Sequence, residues 1–207
     1  ILEYPAYPPT PTVPARPDTA PARLQGSPLA DARFDSPDAL AAWQVVDFDF
    51  VLDESRAVWG IEDGRLEQQN TAAANSPSIQ ETAALTGDPA WADYTVQVSF
   101  YDLTNGTAGL VARYAGDDPQ TADYYRFRIL KNQYEATPKQ VLEKVVDGVA
   151  TPLVELKSPG FEPRQWHTLS LSVAGSRITV TLNGQVVAEA DDPAPLAAGR
   201  AGVYTRA

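Results

Sequence analysis

The chain has no cysteine, no methionine and one histidine, His167, in 207 residues. The first absence removes disulfides, thiolate metal sites and cysteine nucleophiles, and the lone imidazole excludes a multi-histidine metal site. Basic residues are scarce too: 16 Lys and Arg stand against 27 Asp and Glu, giving a formal charge of -11 and a pI near 4.4. So acidic a surface repels a phosphate backbone, and no nucleic-acid partner is expected. No apolar run approaches the roughly 20 residues that cross a bilayer as a helix, so no membrane insertion is expected. No signal-peptide pattern opens the chain, and we expect a mature, excised or partial product of a longer gene. Helix signals are few: SPDALAAW at 36–43, with Ser36 placed to cap and Pro37 at the first helical position, offers one or two turns.

What remains is 43% apolar residues, enough for one β-rich core with appendages. Residues 1–28 carry proline at 5, 8, 9, 11, 14, 17, 21 and 28, a density that excludes helix and central strand and favours polyproline-II conformation. This predicts a Pro-rich extended arm or linker over 1–28 and one folded domain over 29–207. From Asp31 onward, short alternating runs are separated by turn dipeptides, as in an antiparallel sandwich or barrel. Four Asx-Gly pairs, Asp63-Gly64, Asn105-Gly106, Asp147-Gly148 and Asn183-Gly184, sit between strand-like runs and predict four hairpins of a meander.

Period-two alternation assigns the faces. Tyr94, Val96, Val98 and Phe100 fall on one side of their strand, Leu169, Leu171 and Val173 on one side of another, and Ile178, Val180 and Leu182 on one side of a third. The opposite sides are rich in Ser and Thr, which makes these half-buried strands with a wet face. The expected core also takes in Trp43, Trp59, Leu110, Tyr125 and Phe127.

The order of these segments resembles a family. FDSPDALAAWQVVD, VWGIEDGRLEQQ, DPAWADYTVQVSF, GLVARY paired with DYYRFRI, LEKVVDG, QWHTLSLSVAGSRITVTLNGQVV and AAGRAGVYT together resemble a concanavalin-A-like, laminin-G-like jelly roll over residues 31–206. The opening WQVVD is also similar to the thrombospondin C-terminal lectin-like domain, without its calcium-rich carboxylate clusters. The resemblance implies an all-β fold, an antiparallel β-sandwich of two stacked sheets with a concave face that binds glycans or proteins outside cells. Such a fold hosts lectins, adhesion modules and glycosidases alike, so function rests on the residues of the site.

Within that frame the middle strands draw attention. Residues 113–144 hold six basic and five acidic side chains, whereas 1–100 hold five and fifteen. In DYYRFRI, a core-facing Tyr125, Phe127 and Ile129 turns Tyr124, Arg126 and Arg128 outward together, and the alternation of Leu110, Ala112 and Tyr114 sets Arg113 beside them. Rings that stack on sugar faces and guanidinium forks that bind hydroxyls or carboxylates make Arg113, Tyr124, Arg126 and Arg128 the candidate ligand-binding residues. The competing expectation is that these arginines pair with acidic neighbours on a solvated sheet face.

Other constellations carry less chemistry. Asp47 and Asp49 project from one face of VVDFDF and are the best candidates for a glycosidase carboxylate pair, but the E-x-D-x-E motif of concanavalin-A-like glucanases is missing, and a solvated pair is the expectation. A related family of sandwich hydrolases acting on keto-disaccharides has a similar opening, which keeps a glycoside-hydrolase relative as an alternative. His167 has no serine-acid pattern to serve as general base, and is read as a hydrogen-bonded strand residue. Asp117, Asp118 and Asp123 in AGDDPQTADYY are the place where calcium would bind if it binds at all, although an aspartate-rich turn needs no metal. Asn105-Gly106-Thr107 satisfies a glycosylation sequon and also a turn.

The expected function is therefore a non-catalytic extracellular or surface-exposed module that binds glycans or proteins within a larger polypeptide or assembly. A structural subunit of a filament or phage-tail-like particle is the alternative. In the family resembled, one further strand follows GVYT, so the ladder of residues 29–35 is expected to keep an open edge. The Pro-rich arm, through Ile1 to Tyr4 and Ala22 to Gln25, is expected to cover exposed surface on its own domain or on a neighbouring copy, giving self-assembly.

Overall fold

The computed structural model describes residues 12–17, 24, 27–48, 56–69, 81–103, 106–130, 138–158 and 160–206. Within them the chain forms β1 (Gln44–Asp47), β2 (Trp59–Glu62), β3 (Arg65–Gln68), β4 (Glu81–Thr86), β5 (Tyr94–Tyr101), β6 (Thr107–Ala115), β7 (Asp123–Leu130), β8 (Lys139–Val146), β9 (Val149–Lys157), β10 (Trp166–Ala174), β11 (Arg177–Leu182), β12 (Gln185–Asp191) and β13 (Arg200–Arg206). A 3-10 helix, Pro37–Ala42, precedes β1. Ser36 stands before it in extended conformation but makes no side-chain cap bond, so Pro37 rather than a Ser36 cap sets its start.

Two antiparallel sheets form the sandwich, one ordered β1-β4-β13-β6-β7-β8-β9 and one ordered β12-β11-β10-β5, with β2-β3 as a separate hairpin. The jelly-roll reading of the sequence is correct. Three of the Asx-Gly pairs make the expected hairpins, with both turn residues at positive φ at Asp63-Gly64, Asp147-Gly148 and Asn183-Gly184. The fourth does not. Asn105 lies outside the described residues, and β5 and β6 belong to different sheets, so the two strands do not form the expected hairpin. The physical reason is that the apolar sides of β5 and β6 meet across the core, which side-by-side pairing would prevent. The simple meander is corrected in the same way, since β4, β13 and β6 pair out of chain order.

The core between the sheets contains Leu110, Ala112, Tyr125, Phe127, Ile129, Leu142, Leu169, Leu171, Val173, Ile178 and Val180, with Val96, Val98 and Phe100 packed against it. Trp43 and Trp59, expected in the core, are not part of it; both are half-buried, Trp43 packing on Phe34 with ring centroids 5.7 Å apart and the Trp59 indole donating to Thr82 Oγ1 at 3.1 Å. Residues 29–35 join no ladder. The sheet edge on that side is β1, paired to β4, and β13 lies inside the sheet between β4 and β6. Of the arm, Ile1 to Tyr4 and, apart from Leu24, Ala22 to Gln25 lie outside the described residues.

One irregularity changes the reading of the site. A bulge in β6, opposite both β7 and β13, places Arg113 at φ +51 and shifts the phase of the strand. Arg113 consequently leaves the arginine face. Its Nε donates to Ala92 O at 2.7 Å, its Nη1 to Gly175 O and Leu196 O at 3.0 and 2.7 Å, and its Nη2 to Asp93 Oδ1 at 3.0 Å. The side chain, 2% exposed, thus ties the approach to β5, the β10-β11 turn and the segment before β13 into one end of the sandwich. Replacing it strands three carbonyls. Arg113→Met is expected to cost about 3–5 kcal/mol in urea unfolding, because buried groups lose their partners, while the exposed Arg177→Met is expected to leave the urea midpoint close to that of the unaltered chain.

Candidate binding face

The far side of the seven-stranded sheet, turned away from the core, carries the remaining predicted residues. Alternation along β7 puts Tyr124, Arg126 and Arg128 there, as expected, and register brings Glu143 of β8 opposite Arg126. Glu81 and Ala83 of β4, Tyr204 and Arg206 of β13, and Val111 of β6 share the same side. Gly109, opposite both Arg128 and Tyr204, contributes no side chain. A Cβ there would lie 2.7 Å from the Tyr204 ring and 2.4 Å from Phe127 O, so the bare position makes room for the ring and for the guanidiniums above it.

Arg126 and Arg128 are locked with Glu81 and Glu143. Arg126 Nε donates to Glu143 Oε2 at 3.0 Å and its Nη1 to Glu81 Oε2; Arg128 donates to Glu81 Oε1 and to Glu143 Oε1, both at 2.8 Å. Every carboxylate oxygen of the pair accepts from a guanidinium, with Arg206 Nε a further 3.9 Å from Glu81. The Arg126 guanidinium also lies over the rings of Tyr204, Phe48 and Tyr124, at 5.1, 5.9 and 5.9 Å from their centroids. Solvent reaches the lattice along Arg128, Glu81 and Arg206, whose side chains are 15, 17 and 18% exposed.

The electrostatics fix the protonation states. Burial pushes the Glu81 carboxyl up, but the charges of Arg126 and Arg128 outweigh it and hold the group below its ordinary 4.5. Tyr124 is pushed up to about 12 by burial, with Arg126 opposing and the two glutamates reinforcing the shift. Tyr204 rises further, again through burial and the nearby Glu81. Both phenols are therefore donors and not bases at neutral pH. The Tyr204 hydroxyl approaches Arg128 without an aligned hydrogen bond, and among the described residues the buried hydroxyls of Tyr204, Tyr114 and Thr107 have no hydrogen-bond partner. These are polar atoms with bonds still to make.

The other candidates fall elsewhere. Asp47, aligned with Thr82, points to the opposite side of the sheet from the arginines, and Asp49 lies outside the described residues. His167 is 8% exposed between Phe100 and Phe161; the Glu162 carbonyl accepts from its Nε2 at 2.7 Å, and its Nδ1 accepts from Asn183 Nδ2 at 3.0 Å. Both ring nitrogens are thus engaged within the fold. Asp118 holds the Gln120 N–H and Asp123 the Asp147 N–H, and among the described residues no group of three carboxylates or imidazoles converges on a metal position. A separate cleft of about 210 Å³ at the β1 edge, lined by Trp43, Gln44, Thr86 and Arg200, has its guanidinium engaged by Gln44.

A family model for the 3-keto-alpha-glucoside-1,2-lyase-like domain matches residues 32–204. The chain belongs to this family. The similarity to keto-disaccharide hydrolases read from the opening of the sequence is thereby borne out. No curated protein sequence matches the chain. Among solved structures, this chain is similar to the carbohydrate binding module CBM66 from Bacillus subtilis, at 16% identity and a TM-score of 0.54 over 80% of this chain and 89% of that one. It is similar to a Bacillus subtilis protein of unknown function with a galectin-like fold, at 13% identity and a TM-score of 0.58 over 84% and 90% of the two chains. It is also similar to a prokaryotic beta-1,3-1,4-glucanase (lichenase) derived from a mouse hindgut metagenome, at 14% identity and a TM-score of 0.54 over 83% and 82%. At these identities the likeness establishes the concanavalin-A-like sandwich.

The residues of this face that the sequence reading missed are Glu81, Glu143 and Tyr204. Glu143 had a signal, since both LEKVV and DYYRFRI alternate and the pairing expectation for the arginines requires an acid nearby. Glu81 had none, because β4 reaches the site only through the out-of-order pairing with β13. The lattice makes a pH prediction. With the folded pKa of Glu81 below its unfolded value, its stabilisation is complete above pH 4.5 and is lost as pH falls through the folded value. Glu81→Gln is expected to lower stability by about 3 kcal/mol at pH 7 and to flatten the acid limb of the stability curve, both read by urea unfolding between pH 7 and pH 2.5.

Proposed function

We propose that this domain binds saccharides, without transforming them, on the far side of the seven-stranded sheet, with Tyr124, Arg126, Arg128, Glu81, Glu143 and Tyr204 as the binding residues. One observation carries the proposal: the guanidinium–carboxylate lattice, reached by solvent along Arg128, Glu81 and Arg206 and lying over the Tyr204 ring, whose hydroxyl lacks a partner. Vicinal hydroxyls both donate and accept, so an array of fixed donors and acceptors beside aromatic rings matches a sugar ring and its substituents. Membership of a family named for a glucoside substrate and likeness to a carbohydrate-binding module agree with this ligand class.

The family name also favours a catalytic reading. A ketone at C3 acidifies the hydrogen on C2, and a 1,2-elimination needs a base near that hydrogen with a pKa matched to neutral pH. Glu81 is a weak base because two arginines hold it ionised, Glu143 has both oxygens engaged, and Tyr124 and Tyr204 stay protonated. This chemistry supports binding over elimination.

A panel of glycans and 3-keto-α-glucosides titrated into the protein tests the proposal, with product formation followed by NMR in the same samples. Binding without turnover is expected. Tyr204→Phe is expected to leave the melting temperature unchanged or raised, since it deletes an unpaired buried hydroxyl, and to weaken binding roughly three- to tenfold. Arg128→Ala is expected to weaken it by about 10- to 100-fold through loss of charged hydrogen bonds. Turnover of a keto-glucoside overturns the non-catalytic reading, and silence across the panel overturns the saccharide.

A further inference from the structure

The arginine–glutamate face holds more donors than its own acceptors answer. Each carboxylate oxygen of Glu81 and Glu143 already accepts from Arg126 or Arg128. Three buried groups on the same side still have no partner among the described residues: the Arg128 Nε–H, the Tyr204 hydroxyl and the Thr107 hydroxyl. Register gathers them, since Gly109 of β6 stands opposite both Arg128 and Tyr204, and Thr107 lies two positions before it on the same face. A guanidinium Nε–H can only donate, and the Tyr204 phenol, pushed up by burial, keeps its proton to donate. This corner lacks an acceptor.

Charge points the same way. Pairing of β7 with β8 and of β8 with β9 puts Lys139, Lys157 and Glu155 on this face, with the two lysines opposite each other and Glu155 3.5 Å from the Lys139 ammonium. Across these three strands Arg126, Arg128, Lys139 and Lys157 thus stand against Glu143 and Glu155, while Glu81 and Arg206 offset each other on β4 and β13. The excess of cations is local, in a chain whose total charge is -11. An anion set among such donors makes charge-assisted bonds, roughly twice as strong as those a neutral hydroxyl makes. We infer that the saccharide bound on this face carries one anionic substituent, a carboxylate or a sulfate, which accepts from the Arg128 Nε–H and the Tyr204 hydroxyl. The inference rests on the saccharide reading of this face and specifies its ligand class. It takes a single anionic group, because the total charge opposes the approach of a polyanion. The substituent enters along Arg128, whose side chain is 15% exposed.

The test titrates the full chain, followed by NMR, with methyl glycosides that differ only at C6: glucose, glucuronic acid and glucose 6-sulfate, and the same three in the galactose series. At low salt at least one acid is expected to bind about tenfold or more tightly than its neutral counterpart, through charged hydrogen bonds. Raising the salt from about 20 mM to about 300 mM is expected to narrow that ratio. The acid that binds more tightly identifies the substituent, and a lead for either one supports the inference. Tyr204→Phe, which deletes a hydroxyl without a partner, is expected to lower the acid-to-neutral ratio roughly three- to tenfold. Arg177→Gln, exposed on β11 of the other sheet, is expected to leave the ratio unchanged. Equal affinities for acidic and neutral glycosides, or a ratio that Tyr204→Phe does not move, overturn the anionic substituent and leave the saccharide reading standing. Sodium sulfate or acetate binding as tightly as the acidic glycosides, or silence from every glycoside, overturns the saccharide reading and this inference with it.

Discussion

Two arginines at alternate positions of one strand necessarily project to the same face, and once that face is shielded from water they must be neutralised where they stand. Each desolvated ion costs several kcal/mol unless it is paired with good geometry. Glu143 neutralises Arg126 and Arg128 from the adjacent strand. Glu81 does so from β4, three strands away in the sheet order, a distance of about 14 Å along a flat sheet. That the Glu81 carboxylate still reaches both guanidiniums means that the long side chains lie across the face, over Tyr204 and the bare Gly109, and tie β4, β7 and β8 together.

The lattice also limits the chemistry available. A glycosidase needs one carboxyl protonated and one ionised, usually by placing them in contrasting environments. Here both carboxylates face the same two guanidiniums, and for Glu81 those charges outweigh burial and keep the carboxyl ionised. What the face offers is fixed charge, flat rings and phenols that remain donors, which suits recognition. Family membership names a glucoside chemistry for the family; among the described residues of this face both glutamates are held by arginines and Tyr124 and Tyr204 stay protonated at neutral pH.

Much of this was legible in the chain. Alternation in DYYRFRI separated Tyr125, Phe127 and Ile129 from Tyr124, Arg126 and Arg128, because a regular strand between two neighbours has no freedom to do otherwise. Alternation in GLVARY misled at Arg113, because a bulge resets the phase and no turn dipeptide announces it. The Asx-Gly rule held wherever the flanking strands share a sheet and failed at Asn105-Gly106, where they do not, since local turn chemistry carries no information on sheet membership. Glu81 and Tyr204 depend on strands joined out of chain order, and no local pattern marks that proximity.

The central claim is that ligand binds at the arginine–glutamate face. Side-chain Nε–Hε NMR signals of arginine, followed while a saccharide that binds is titrated in, test it most directly. The account predicts shifts at Arg126, Arg128 and Arg206, with Arg113, Arg200 and Arg16 unchanged. Shifts at Arg200, beside the Trp43 cleft, or at Arg16 on the opposite sheet, with Arg126 and Arg128 silent, would contradict it.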